Sequence, residues 1–132
     1  TLPVDVLVPA AIGGVITRDV ASRIQAKLVV EAANDPTLPE GDAVLQERGV
    51  NVIPDILANA GGVVASYTEW RQAKSGSLTE KSETYAEIEK QLIGAYERVC
   101  ETVDNKGISY RLAAQALAVE EVVESMRDRG QI

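Results

Sequence analysis

Apolar side chains fall first into short continuous runs and then, past residue 55, into helical spacing. Three runs rich in β-branched residues, "VDVLV" at 4–8, "KLVVEA" at 27–32 and "VNVIP" at 50–54, stand about 23 residues apart and predict strands. Between the first two, "TRDVASRI" offers Thr17 as a cap and Val20, Ala21 and Ile24 as an apolar stripe, the pattern of a short helix. Between the second and third, "TLPEGDAVLQERG" reads as a helix with Thr37 and Glu40 in a capping box, Pro39 in the first turn and Gly49 as the stop. The runs lack the in-out alternation of a half-wet antiparallel sheet, so the expected unit is a right-handed βαβαβ parallel sheet covered on both faces.

After residue 55 the strand signal stops, and three helices are expected. The first carries Ile56, Ala60, Val63, Tyr67 and Trp70 at the spacing of one face, with Gly61 and Gly62 inside it. Each interior Gly costs a helix roughly 1 kcal/mol relative to Ala, so the pair needs a reason. Tight packing against a neighbour and close approach of a ligand to backbone are both open. The second, from about 79 to 105, presents Tyr85, Ile88, Leu92, Tyr96, Val99 and Val103, and follows a polar loop, "KSGSLTEKS". The third starts at the cap Ser109 and is expected to bury Leu112, Ala116, Val119 or Val123, and Met126.

In an open parallel sheet the ligand crevice lies beyond the carboxyl ends of the strands. The segments to inspect are therefore "PAA" at 9–11, "AANDP" at 32–36 and "PDILANAGG" at 54–62, all rich in small side chains. Two carry an Asn, Asn34 and Asn59, whose uncharged amides suit ribose hydroxyls or a carboxamide. Equally, Asn34 could make an Asx-turn before Pro36, and Asn59 could face solvent. Asp55 reads as a helix N-cap, Glu69 as a structural residue near Trp70, and Glu120, Glu121 and Glu124 as a solvated face.

Composition narrows the chemistry. The 132 residues contain no His, and there is no metal-ligand spacing, nucleophile elbow or P-loop. The Gly13-Gly14 pair lacks the spacing of a dinucleotide fingerprint. A net charge of −7 without a basic cluster argues against nucleic acid, and no apolar run is long enough for a membrane helix. The single cysteine, Cys100, lies between Val99 and Val103 on the second long helix and reads as a buried structural thiol in a reducing compartment. A cytoplasmic location is the corresponding expectation.

"VDVLVPAA", "KLVVEAANDPTLPEGDAVLQERGV", "NVIPDILANAGGVVASYTEW" and "RLAAQALAVEEVVESMRDRG" resemble, in order and spacing, the carboxyl-terminal part of the glutamate, leucine, phenylalanine and valine dehydrogenase family. The run "PDILANAGGV" followed by "SYTEW" looks closest to the glutamate dehydrogenase branch. The resemblance implies an α/β fold: a three-stranded parallel half of a Rossmann-like NAD(P)-binding domain over residues 1–55, followed by a helical part over 56–132. It implies NAD or NADP as cofactor and oxidative deamination of an amino acid. The partners it implies are the remainder of the dehydrogenase subunit, an amino acid substrate and the other subunits of a hexamer. By the same resemblance Ala10 and Ala11 line the cofactor path by backbone contact, Asn34 and Asn59 bond the nicotinamide ribose or carboxamide, and Val63 and Ser66 face the substrate.

The family often carries Gly where this chain has Ala32 and Asp35. The Gly-rich fingerprint and the catalytic Lys and Asp have no counterpart here, so the chain is expected to begin inside the cofactor domain and to be inactive alone. Alternatives within this reading are a fragment of a leucine, valine or phenylalanine dehydrogenase, or a non-catalytic nucleotide-binding or interaction module.

Overall fold

The computed structural model describes residues 2–78 and 80–132. Three parallel strands, β1 (Val6–Leu7), β2 (Leu28–Val30) and β3 (Asn51–Ile53), lie in the order β1-β2-β3. Val6 pairs with Leu28, Val29 with Val52, and Val30 with Ile53. Helix α1 (Arg18–Arg23) joins β1 to β2, and α2 (Pro39–Glu47) joins β2 to β3. Four helices follow: α3 (Asp55–Ala58), α4 (Gly61–Ser75), α5 (Lys81–Lys106) and α6 (Tyr110–Asp128). None of the described helices is long and apolar enough to cross a membrane.

The sheet separates two cores. On one side Ile16, Ala21, Ile24, Ala26, Leu45, Val29 and Val52 pack beneath α1 and α2. Ile53 instead joins Leu57, Val99, Ala113 and Ala114 under α5 and α6. Adjacent strand residues thus serve opposite layers, which is why the runs are apolar throughout. Complete burial of a side chain such as Val29 contributes roughly 1.5–3 kcal/mol. The strands are shorter than their apolar runs; β2 ends at Val30, and beyond it Ala32 and Ala33 donate their N–H groups to the Pro9 carbonyl at 3.0 and 2.8 Å.

Helix α1 follows the expected pattern, with the Thr17 hydroxyl accepting from the Val20 N–H at 3.3 Å. Its carboxyl end is closed from outside by Arg48, which donates to the carbonyls of Ala21 and Ile24. The start of α2 departs from expectation. Its N-cap is Leu38, without a side-chain cap, so Thr37 and Glu40 form no capping box. Thr37 is held instead in a parallel bridge with Ile16, and its hydroxyl is buried without a hydrogen-bond partner among the described residues. Proline at the first helical position already sets the helical φ, so the chain enters α2 one residue later. Gly41 allows this approach: a Cβ there would collide with the Ile16 carbonyl oxygen and lie 3.3 Å from the Thr17 carbonyl carbon. Gly49 is the stop as expected, with φ 68°.

The helix expected from residue 55 is broken at Asn59 and Ala60. Gly61 and Gly62 therefore sit in the first turn of α4 and not within a continuous helix. The proposed apolar face runs across the break, and its Ile56, Val63, Tyr67 and Trp70 are exposed, whereas Thr68 is buried. A Cβ on Gly61 would stand 3.3 Å from Ile88 and 3.6 Å from Leu92, so this glycine serves packing against α5. Gly62 faces open space.

Helix α5 starts with a capping box between Glu80 and Glu83 that the sequence reading missed; the Thr79 at which it placed the start lies outside the described residues. Val99 is the buried centre of its apolar face, while Tyr85 and Tyr96 are exposed. Ser109 caps α6 as expected, accepting from the Leu112 N–H at 3.2 Å. The buried stripe is Ala113, Ala114 and partly Leu117. Leu112, Ala116 and Val119 are exposed, and Val123 and Met126 are half-buried. Two adjacent alanines let α6 approach Leu57 and Val99 closely, so that face turns inward despite its smaller side chains. Cys100 is half-buried, less enclosed than expected.

Candidate functional site

The three post-strand segments meet at the carboxyl edge of the sheet. Pro9 accepts from Ala32 and Ala33, and the Asp35 carbonyl accepts from the Gly14 N–H at 2.8 Å. Gly13 is required for that approach, since a Cβ would lie 2.9 Å from the Asn34 carbonyl oxygen and 3.1 Å from that of Asp35. Asn34 and Asn59, 25 residues apart, are brought together: Asn59 Nδ2 donates to Asn34 Oδ1 at 2.6 Å. That contact uses one donor and one acceptor. The Asn34 amide donors and the Asn59 amide oxygen have no partner among the described residues, so they are free to bond a hydroxyl or a carboxamide.

Ala10 and Ala11 are exposed immediately after β1. Val63 and Ser66 are three residues apart on α4, share a helical face and are both exposed, Val63 to 73%. The same face continues to Tyr67 and Trp70, whose rings stack at 5.8 Å, with Lys74 Nζ 4.6 Å above the indole. This part of α4 leaves an amphipathic surface open beside the asparagine pair.

Beneath the two asparagine loops lies a charged network that sequence reasoning missed. Glu31, one residue beyond β2, is 0% exposed. Its Oε1 accepts from Arg111 Nη2 at 2.7 Å, and its Oε2 accepts from the Asp55 N–H at 2.9 Å. Arg111 Nε also donates to Asp42 Oδ1 at 3.0 Å, and its Nη1 lies 4.0 Å from Asp55 Oδ1. Burial works against the charge of Arg111, but the hydrogen bond and attraction of Glu31, with Asp42 behind them, outweigh it and hold the guanidinium pKa above its ordinary value.

Asp55 is not the N-cap of α3; Pro54 holds that position. The Asp55 carboxylate instead accepts from the Asp35 N–H at 2.7 Å and the Ile56 N–H at 2.8 Å. This fixes Asp35 at φ 46°, the left-handed region, where aspartate is tolerated better than most residues. The one available signal for the network was Glu31 inside an apolar strand run, since a carboxylate there needs a partner. Nothing in the sequence said that the partner lies 80 residues away.

The edge thus offers small side chains, two amides with spare hydrogen-bonding capacity, and carboxylates already engaged by N–H and guanidinium donors. It suits a ligand that bears hydroxyl or carboxamide groups.

Comparisons with known proteins agree with the parallel α/β fold. The chain is 43% identical over 129 residues to an NAD-specific glutamate dehydrogenase of Staphylococcus aureus (strain COL), a match covering 98% of this chain and 31% of that protein. The crystal structure of glutamate dehydrogenase from Peptoniphilus asaccharolyticus superposes with a TM-score of 0.86 at 43% identity, over 95% of this chain and 32% of that one. The hetero-hexameric glutamate dehydrogenase of Thermus thermophilus, in a leucine-bound form, gives a TM-score of 0.89 at 37% identity, over 97% of this chain and 31% of that one. The chain therefore spans less than a third of the length of the curated relative. With the Glutamate/Leucine/Phenylalanine/Valine dehydrogenase family model matching residues 1–130, the chain belongs to that family.

Proposed function

We propose that the chain is the carboxyl-terminal part of an NAD-dependent glutamate dehydrogenase, with residues 1–55 forming half of the cofactor domain and 56–132 the helices that return toward the substrate. The observation that carries this is the Asn34–Asn59 amide pair at 2.6 Å beside the open Val63 and Ser66 face. The reaction is conversion of L-glutamate, NAD⁺ and water to 2-oxoglutarate, ammonium, NADH and a proton. When bound, NAD would supply the acceptor for the hydride of the amino-acid α-carbon.

The chain's own residues bind and orient. Ala10 and Ala11 let backbone lie against the cofactor without bulk. The free donors of Asn34 and the free acceptor of Asn59 hold the nicotinamide ribose or carboxamide and fix which ring face is offered. Val63 packs on the substrate's aliphatic stem, and the Ser66 hydroxyl donates to a carboxylate. NAD in preference to NADP is supported by the specificity of the staphylococcal relative, and a hexameric assembly by the Thermus enzyme.

The rest of the subunit supplies acid–base chemistry, so the 132-residue chain alone is inactive. The test is absorbance at 340 nm with the intact subunit carrying this segment. Glutamate with NAD should give the highest kcat/KM, and the isolated chain should give no NADH. Preference for leucine, valine or phenylalanine over glutamate would overturn the substrate assignment.

A further inference from the structure

We propose that Arg111, at the start of α6, is a positioning residue for nicotinamide binding, acting through Glu31 and Asp55 on the Asn34–Asn59 pair; this rests on the functional reading above. The connection is continuous. Arg111 Nη2 bonds Glu31 Oε1, Glu31 Oε2 takes the Asp55 N–H, and Asp55 Oδ2 takes the Asp35 N–H, at 2.7, 2.9 and 2.7 Å. Asn34 immediately precedes Asp35, and Asn59 follows α3, whose first residue is Asp55. Both asparagines thus hang from residues that the guanidinium holds in place.

The arrangement has a reason in electrostatics. Glu31 is wholly buried, and the Asp55 carboxylate lies 4.0 Å from the same guanidinium that neutralises Glu31. Without the cation, the Glu31 carboxylate, bonded to the Asp55 N–H, and the Asp55 carboxylate are left with no shared positive charge to offset their repulsion. The cheapest relief is outward movement of Asp55, which is a quarter exposed. That movement releases the Asp35 N–H, removes the bond that holds Asp35 at φ 46°, and parts the two asparagines. Displacement of a positioning group by about 1 Å can cost on the order of 100-fold in rate.

The experiment uses the intact subunit carrying this segment, with Arg111→Met, Arg111→Lys and Asp55→Ala. Dissociation constants for NADH and for ADP, which lacks the nicotinamide riboside, are read by fluorescence and calorimetry on the folded fraction, alongside KM and kcat for NAD and for glutamate. Arg111→Met should weaken NADH binding by about tenfold or more and leave ADP within about twofold, because only the nicotinamide end loses its grip. Arg111→Lys should recover part of the loss, since one ammonium restores a positive charge but cannot reach all three carboxylates, Glu31, Asp42 and Asp55, that the guanidinium pairs with. Asp55→Ala should reproduce the NADH effect with an ordinary thermal melt, and it decides the matter if Arg111→Met does not fold.

Equal loss of NADH and ADP affinity, unchanged NADH affinity in a folded Arg111→Met, or, where that variant does not fold, unchanged NADH affinity in Asp55→Ala, would overturn the inference while leaving the enzyme assignment standing. A wild-type subunit that neither binds NADH nor oxidises glutamate would overturn both.

Discussion

Replacing Arg111 by Met should destabilise the fold by about 3 kcal/mol, because it strands the buried Glu31 carboxylate without its cation. Truncating one partner of a buried ion pair costs roughly 3–5 kcal/mol. The lower end applies here. Glu31 is 0% exposed, but Arg111 is 20% exposed, so some water follows the guanidinium out, and the Asp55 N–H still serves one Glu31 oxygen. Methionine retains most of the apolar stem, which isolates the charge from the packing. With a urea dependence of about 2 kcal/mol per molar for a chain of this size, the midpoint should fall by about 1.5 M, read by circular dichroism at 222 nm.

The double variant Glu31→Gln with Arg111→Met removes the stranded charge and should regain about 2 kcal/mol, a coupling within the range seen for residues in one network. A midpoint change below about 0.5 M, or strictly additive single effects, would mean that Glu31 is solvated and that the network is not a buried pair.

Three further outcomes follow from other contacts. Gly41→Ala should lower stability by about 1–3 kcal/mol in a thermal melt, although alanine is the better helix former, because the new methyl meets the Ile16 carbonyl and not a flexible side chain. Gly62→Ala should be neutral or stabilising by up to about 1 kcal/mol in the isolated chain, since nothing lies within 4 Å. If activity of the intact subunit nevertheless falls, ligand approach and not packing explains that glycine; if activity is unchanged, neither explanation holds for it.

Cys100→Ala should lower the pKa of Tyr96, whose phenol is held above its ordinary value first by its hydrogen bond to Cys100 and then by charge repulsion from that side chain, with burial and Tyr110 adding to it. Tyr110 is raised mainly by burial and only then by Cys100, so it should move less. Because both folded-state values are raised, their contribution to stability is full below the ordinary tyrosine range and is lost as pH rises through the shifted values. Alkaline titration at 295 nm, with melts at matched pH, checks both statements.

Period and punctuation in the sequence by themselves determined the parallel three-stranded unit, the positions of α1, α5 and α6, the stop at Gly49 and the cap at Ser109. These are local properties, written in β-branched runs, helical spacing and capping residues. The same logic located the carboxyl edge of the sheet and the two asparagines on it.

What only the tertiary structure decided involves partners distant in the chain. The apolar spacing from Ile56 to Trp70 matches one helix, yet the chain breaks at Asn59. That break lets Asn59 turn to Asn34 and leaves the open face of α4 outside the core. Thr37 looked like a cap until Ile16 claimed its backbone, and the expected α6 stripe through Leu112, Ala116 and Met126 yielded to Ala113 and Ala114 because close approach of two helices rewards small side chains. Glu31 could be recognised as a charge in need of a partner, but burial makes the identity of that partner a question of which helix lies overhead. The answer, Arg111, is set by the packing of α6 across the sheet and leaves no periodic trace in either segment.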